Sequence, residues 1–171
     1  MGADVTLVLG GARSGKSRYA EGLVTVRPQP WIYVATAEAW DDEMRARIVR
    51  HQDDRGPGWT TVEEPLDLPG VLRRHAVAGT TVLVDCLTLW LSNLMGAERD
   101  VDAATADLLE ALRSVAGTVV LVSNEVGLGI VPDNALARAF RDHAGRLHQR
   151  VAAQVPRVVF VVAGLPMTVK G

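Results

Sequence analysis

The stretch Val5-Thr6-Leu7-Val8-Leu9-Gly10-Gly11-Ala12-Arg13-Ser14-Gly15-Lys16-Ser17 decides how this chain is read. An apolar run of strand length passes directly into G-x-x-x-x-G-K-S, and helix-forming residues follow. That is a phosphate-binding loop in its proper setting, after a strand and before a helix. Glycines let successive backbone N–H groups turn inward around phosphate oxygens. Lys16 is the residue type that reaches β- and γ-phosphates, and the Ser17 hydroxyl is a hard oxygen donor for Mg²⁺. The following helix aims its positive end at the anion. A glycine-rich turn matching by chance would lack the flanking strand and helix patterns, so the segment implies binding of a nucleoside triphosphate.

Working outward, five segments have the pattern of buried parallel strands: Val5–Leu9, Trp31–Ala35, Thr80–Asp85, Thr118–Ser123 and Arg157–Val162. Each is apolar on both alternations, as a strand covered on both faces requires. Helical patterns separate most of them. They run from Ser17 to about Val26, from Asp41 to about Asp53, over Leu68–Ala76 with Pro69 early, over Leu87–Met95, and over Asp102–Ala116 ending at Gly117. A last, long helix opens at Pro132-Asp133-Asn134, with Leu136, Phe140, Leu147 and Val151 on one stripe. Gly117 reads as a left-handed helix end. The alternation predicts an α/β sandwich on a mostly parallel central sheet, the P-loop NTPase class, in one domain spanning residues 1–171.

Composition narrows the partners. At 171 residues, 48% hydrophobic and 22% charged, with net charge −2, the chain carries no basic stripe, which argues against a nucleic-acid partner. Cys86 is the single cysteine, so no internal disulfide or cysteine-rich zinc site forms, and a reducing cytoplasm is expected. No apolar run reaches membrane-spanning length, and no secretion signal is expected. Met1-Gly2-Ala3-Asp4-Val5-Thr6 formally matches a myristoylation pattern, but the first strand claims those residues.

The carboxyl ends of the strands are where an open α/β sheet holds ligand. Thr36, after the second strand, reads equally as a ligand contact and as a loop threonine satisfying backbone. Asp85 ends Val82-Leu83-Val84-Asp85 as an acid that reaches Mg²⁺ does; its plainer reading is a cap of the next helix. Asn124-Glu125-Val126-Gly127 closes the fourth strand at the same edge. The chain has no Asn-Lys-x-Asp base reader and no Asp-x-x-Gly after the third strand, which disfavours a Ras-like switch. Among the histidines, His75, His143 and His148 read as surface or helix-packing residues. His51 follows Met44 by seven residues and Ile48 by three, so the three share a helix face, and core and site remain open for it. Trp31, Trp40, Trp59 and Trp90 read as core, with Trp40 and Trp59 flanking the segment that carries His51.

These residues together resemble a family. Gly10 to Arg18, Tyr33-Val34-Ala35-Thr36-Ala37, Asp42-Glu43-Met44 with Arg47-Ile48 and His51, Trp59 with Val62-Glu63-Glu64-Pro65-Leu66, Val84 to Leu94, Ser123 to Pro132 and Phe140-Arg141-Asp142 follow one another as in the bifunctional adenosylcobinamide kinase / adenosylcobinamide-phosphate guanylyltransferases. The resemblance runs nearly end to end. It implies a RecA-like core, a homotrimer, and two reactions that consume ATP or GTP with Mg²⁺. The hydroxyl of adenosylcobinamide is phosphorylated, and GMP then passes from GTP through a histidine to adenosylcobinamide phosphate. The family's GMP-carrying histidine matches His51, with Lys16 as its catalytic partner. The resemblance further implies nucleotide contacts at Gly10, Gly11, Ala12, Arg13, Ser14, Gly15, Lys16, Ser17, Val34, Ala35, Thr36, Gln52, Asp53, Asp54, Arg55, Glu63 and Asp85, with Ser17 and Asp85 on the metal. Two departures stand out. Arg50 occupies a position where many relatives carry a second histidine, and Arg55-Gly56-Pro57-Gly58 inserts a glycine. Competing readings are a plain small-molecule kinase with a structural His51, and a non-enzymatic RecA-type assembly module.

Overall fold

The computed structural model describes residues 3–38, 42, 43, 45, 46, 49 and 55–171. Seven strands form one sheet: β1 (Asp4–Gly10), β2 (Trp31–Ala35), β3 (Trp59–Glu63), β4 (Thr81–Asp85), β5 (Thr118–Asn124), β6 (Arg157–Val162) and β7 (Leu165–Lys170), in the order β3-β2-β4-β5-β1-β6-β7. All pairings are parallel except β6 with β7. The helices are α1 (Lys16–Thr25), α2 (Leu68–His75), α3 (Leu87–Gly96), α4 (Val101–Ser114) and α5 (Ala135–Gln154). Asp42, Glu43, Arg45, Ala46 and Val49 are helical as well.

The sheet is covered on both faces, and alternate strand residues feed two cores. Val5, Leu7, Val34, Val84, Leu121 and Val158 pack on one face against α2, α3, α4 and α5. Val8, Tyr33, Leu83, Val122 and Val161 pack on the other against Ala20 and Val24 of α1. Burial on both alternations is the reason the five central strands read as continuous apolar runs.

The two strands beyond those five lie at the sheet edges, where this signal fails. In β3 the burial is partial and Thr60 and Glu63 face solvent. Every residue of β7 is exposed. Helix starts follow side-chain capping: Asp67 accepts from Gly70 N, Asp100 from Ala103 N, and Asn134 from Ala137 N.

Two expectations are corrected. Leu136 is 72% exposed and leaves the apolar stripe, while Leu147 and Val151 are buried. Gly117 is not left-handed. It is required for close approach instead, since a Cβ there would lie 2.5 Å from the Val77 carbonyl oxygen.

Candidate nucleotide site

Residues 10 to 17 leave the carboxyl end of β1, which lies between β5 and β6 in the interior of the sheet. The loop is built for a tight turn. Gly15 caps α1 with φ +90°, and a Cβ there would sit 3.1 Å from Gly164 Cα. A Cβ on Gly10 would lie 2.5 Å from Ser14 Oγ. Both neighbouring strands brace the turn. Glu125 N, after β5, donates to Gly10 O at 2.9 Å, and Gly164 N, in the β6–β7 turn, donates to Ser14 O at 2.7 Å. Lys16 Nζ donates to Gly11 O at 3.2 Å, folding the ammonium back over the loop. Ser14 Oγ is buried without a hydrogen-bond partner among the described residues. A buried hydroxyl without a partner in a phosphate-binding loop is a free donor for an anion's oxygen.

Asp85, at the end of β4, lies at the carboxyl edge of the sheet, opposite Ala35 of β2 and Val122 of β5. It does not cap α3: that helix begins after Cys86 and has no side-chain cap. Its Oδ2 accepts a 2.5 Å hydrogen bond from the Tyr33 hydroxyl. Burial pushes the Tyr33 phenol above its usual range, the charge and hydrogen bond of Asp85 add to that, and Arg55 opposes it. Tyr33 is thus held in its protonated form, donating to Asp85. The Arg55 guanidinium lies 3.3 Å from the Tyr33 ring centroid, a cation–π contact, and its Nε is buried without a hydrogen-bond partner among the described residues. Trp59 stands edge-on to Tyr33 and tilted against Trp31, closing the aromatic cluster.

The remaining strand ends are stapled together. Thr36 is fully buried, and its Oγ1 donates to Cys86 O at 2.7 Å while accepting from Cys86 N at 2.9 Å. Its hydroxyl thus serves backbone. Asn93 Nδ2 donates to both Thr36 O and Pro65 O, tying the exits of β2 and β3 to α3. Val34 is fully buried, while Glu63 is exposed at the end of β3. Glu64 accepts from Leu66 N and Asp67 N, shaping the turn into α2. His51, Gln52, Asp53 and Asp54 lie outside the described residues, as do Met44, Ile48 and Arg50.

Behind the loop, His148 of α5 is buried with Nε2 2.7 Å from Ser123 Oγ on β5. Burial lowers its pKa, and the charge of Glu125 pulls weakly the other way. Burial likewise raises the Cys86 thiol, with Asp85 adding to it, so Cys86 is an inert packing residue.

The cradle and its neighbouring acid match an NTP site, and the sequence comparisons agree. The family described as cobinamide kinase / cobinamide phosphate guanyltransferase matches residues 6–169. The chain belongs to that family. Relatives include the bifunctional adenosylcobalamin biosynthesis protein CobP of Pseudomonas aeruginosa, 51% identical over 96% of each chain. The bifunctional adenosylcobalamin biosynthesis proteins CobU of Salmonella typhimurium and Escherichia coli are 42% and 41% identical, over 96% of this chain and 98% of theirs. As a cobinamide kinase / cobinamide phosphate guanyltransferase family member the chain is an enzyme, and its seven-stranded sheet is the family's P-loop NTPase fold. No helix among the described residues is long and apolar enough to cross a membrane.

Within this family frame, the contribution of Tyr33 is the feature that sequence reading missed. The only available signal was its place two residues before the exit of β2. In parallel register Tyr33 and Asp85 lie diagonally on one sheet face, within an aromatic side chain's reach. Hard oxygen donors at Ser17 and Asp85 suit Mg²⁺, which takes one or two protein oxygens alongside phosphate. Among the described residues no cluster of three or more His, Cys, Asp or Glu offers a dedicated metal cage.

Proposed function

We propose that this chain phosphorylates adenosylcobinamide with a nucleoside triphosphate and then transfers GMP from GTP to adenosylcobinamide phosphate, giving adenosylcobinamide-GDP. The observation that carries the reading is the braced loop, with an unpartnered Ser14 Oγ inside it, in a chain matched to the family over residues 6–169.

His51 is the proposed nucleophile. A neutral imidazole nitrogen attacks the α-phosphorus of GTP, the bond from that phosphorus to the bridging oxygen breaks, and pyrophosphate leaves. The imidazolium then loses its remaining N–H proton to solvent. An oxygen of cobinamide phosphate next attacks the same phosphorus. The P–N bond breaks as the other ring nitrogen takes a proton back from solvent, and neutral histidine is regenerated. The loop amides and Lys16 hold the departing phosphates and stabilise the charge that grows on them. Ser17 and Asp85 would hold Mg²⁺, which when bound neutralises phosphate charge. Tyr33 fixes the Asp85 carboxylate, while Arg55, with Gln52, Asp53, Asp54 and Glu63, completes the proposed nucleotide contacts.

A homotrimer accompanies this reading. The uncovered strand β7, with Leu165, Met167 and Val169 exposed, supplies an open sheet edge that suits assembly.

The test is incubation of the pure protein with Mg²⁺ and GTP labelled at the α-phosphate, for wild type and His51→Ala. Wild type is expected to take up label that is acid-labile and alkali-stable, as a phosphoramidate is, and the variant is expected to stay unlabelled. An unlabelled wild type that still transfers the γ-phosphate would reduce the protein to a plain kinase.

A further inference from the structure

We infer that Asn124 acts in the phosphoryl-transfer step, its side-chain amide bridging the γ-phosphate and the incoming hydroxyl of the acceptor. Sheet order places it. β5 lies between β1, which carries the phosphate loop, and β4, which ends in Asp85. Asn124 is the last residue of β5 and stands opposite Gly10, where the loop begins. A triphosphate that spans from the loop toward Asp85 crosses the end of β5.

Strand alternation decides which face Asn124 takes. Val122 packs with Leu83 and Tyr33 on the sheet face covered by α1, the helix that the phosphate loop opens. Asn124, two residues past Val122, and Asp85, two past Leu83, fall on that same face. Asp85 is opposite Val122 in register, so Asn124 stands one pleat further out, on the ligand side. Glu125 falls on the other face. Its charge acts on His148 of α5, and its carboxylate accepts from Gly127 N at 2.6 Å.

The amide is held by one corner. Asn124 Nδ2 donates to Thr88 Oγ1 at 3.1 Å, and Asn124 N donates to the same oxygen at 3.4 Å. Thr88 is buried, and its hydroxyl is anchored in turn by Cys86 Sγ at 3.0 Å. Among the described residues, no partner takes up Asn124 Oδ1 or the second hydrogen on Nδ2. The half-buried side chain thus presents one acceptor and one donor side by side at the carboxyl edge. The donor suits an oxygen of the γ-phosphate, over which transition-state charge spreads. The acceptor suits an alcohol O–H and turns the alcohol's lone pair toward phosphorus. The hydroxyl oxygen bonds to the γ-phosphorus and the bond from phosphorus to the bridging oxygen breaks. The nucleoside diphosphate leaves with the electron pair, and the hydroxyl proton passes to solvent. Asn124 is neutral and exchanges no proton in this step.

This inference rests on the kinase half of the reading proposed above. Asn124→Ala and Asn124→Asp are compared with wild type in two assays. One follows label from γ-labelled ATP or GTP into adenosylcobinamide, and the other follows label from α-labelled GTP into the protein. Removing one donor aimed at transition-state charge typically costs about 10²–10³ in kcat, so Asn124→Ala is expected to lose about 100-fold or more in kcat for phosphorylation. Asn124→Asp is expected to lose more, because its carboxylate faces the γ-phosphate. GMP uptake should stay within about threefold of wild type in both, since the γ-phosphorus keeps its bonds in that step and a contact to it adds only uniform binding. That uptake also shows that the variants fold and bind nucleotide. A wild-type phosphorylation rate in Asn124→Ala, an Asp variant as fast as the Ala variant, or equal losses in both assays would overturn the assignment, the last by reducing Asn124 to a support of the loop. A wild type that takes α-label yet leaves adenosylcobinamide unphosphorylated would overturn the kinase reading itself, and the role of Asn124 with it.

Discussion

Tyr33 and Asp85 meet at 2.5 Å across neighbouring strands β2 and β4, phenol donating to carboxylate, beneath the guanidinium of Arg55. The contact joins the acid proposed for the metal to a side chain whose proton is held by burial. It makes the orientation of Asp85 a property of the sheet rather than of a loop.

Tyr33→Phe keeps the ring and removes only the donor. Losing a partner that orients a metal-ligating carboxylate typically weakens metal affinity about 10–100-fold. The Mg²⁺ concentration giving half-maximal guanylylation should rise by about tenfold or more. A metal titration that superimposes on wild type would show that Asp85 is positioned without Tyr33.

Gly15→Ala should be disabling. The residue sits at φ +90°, where a side chain costs about 1–2 kcal/mol, and its Cβ would press on Gly164 backbone at 3.1 Å. Urea denaturation should show a loss of that order or greater, and GTP binding should disappear. Gly164→Ala shares the left-handed backbone, φ +78°, but meets no atom within 4 Å. It should lose similar stability through strain alone and retain GTP binding. Equal GTP affinity in both variants would mean that the contact between the two glycines has no bearing on the loop.

Asn93→Asp replaces a double donor by an acceptor facing two carbonyls, Thr36 O and Pro65 O. Leaving buried carbonyls unpaired costs about 1–3 kcal/mol, and the added charge worsens it. The melting temperature should drop by several degrees, more than for Asn93→Ala. The reverse ranking would show that the side chain acts through packing.

His148 makes stability depend on pH in a defined direction. Its folded-state pKa is lowered by burial, so the unfolded chain binds the proton more readily. The stabilisation is whole above the ordinary histidine range, near pH 6.5, and is lost as pH falls through that value toward the lower folded pKa. Wild type should therefore lose more stability than His148→Asn between pH 7.5 and 5.5, measured by urea unfolding. Parallel losses would assign the dependence to other groups.

Much of this architecture was readable because two physical signals were strong. The loop from Gly10 to Ser17 has fixed chemistry, and strands buried on both faces are apolar at every position. Both signals fail at the margins. β3 mixes partly buried and exposed residues at an edge, so Trp59-Thr60-Thr61-Val62-Glu63 does not read as a covered strand. β7 is wholly exposed, and only the two-residue Ala163-Gly164 turn could have marked its hairpin. The site was legible where one segment carried it, as with Lys16 and Ser17. Tyr33 with Asp85, 52 residues apart, and Ser123 with His148 are products of register, and no local spacing announces them.

The hydrogen bond from Gly164 to Ser14 also orders events during synthesis. The loop's strand lies between β5 and β6, and one of its braces, Gly164, follows Ser14 by 150 residues in the chain. A nascent chain therefore carries an unbraced loop until Gly164 has been made. The phosphate loop reaches this braced geometry only after β5, β6 and the turn that follows them have joined the sheet.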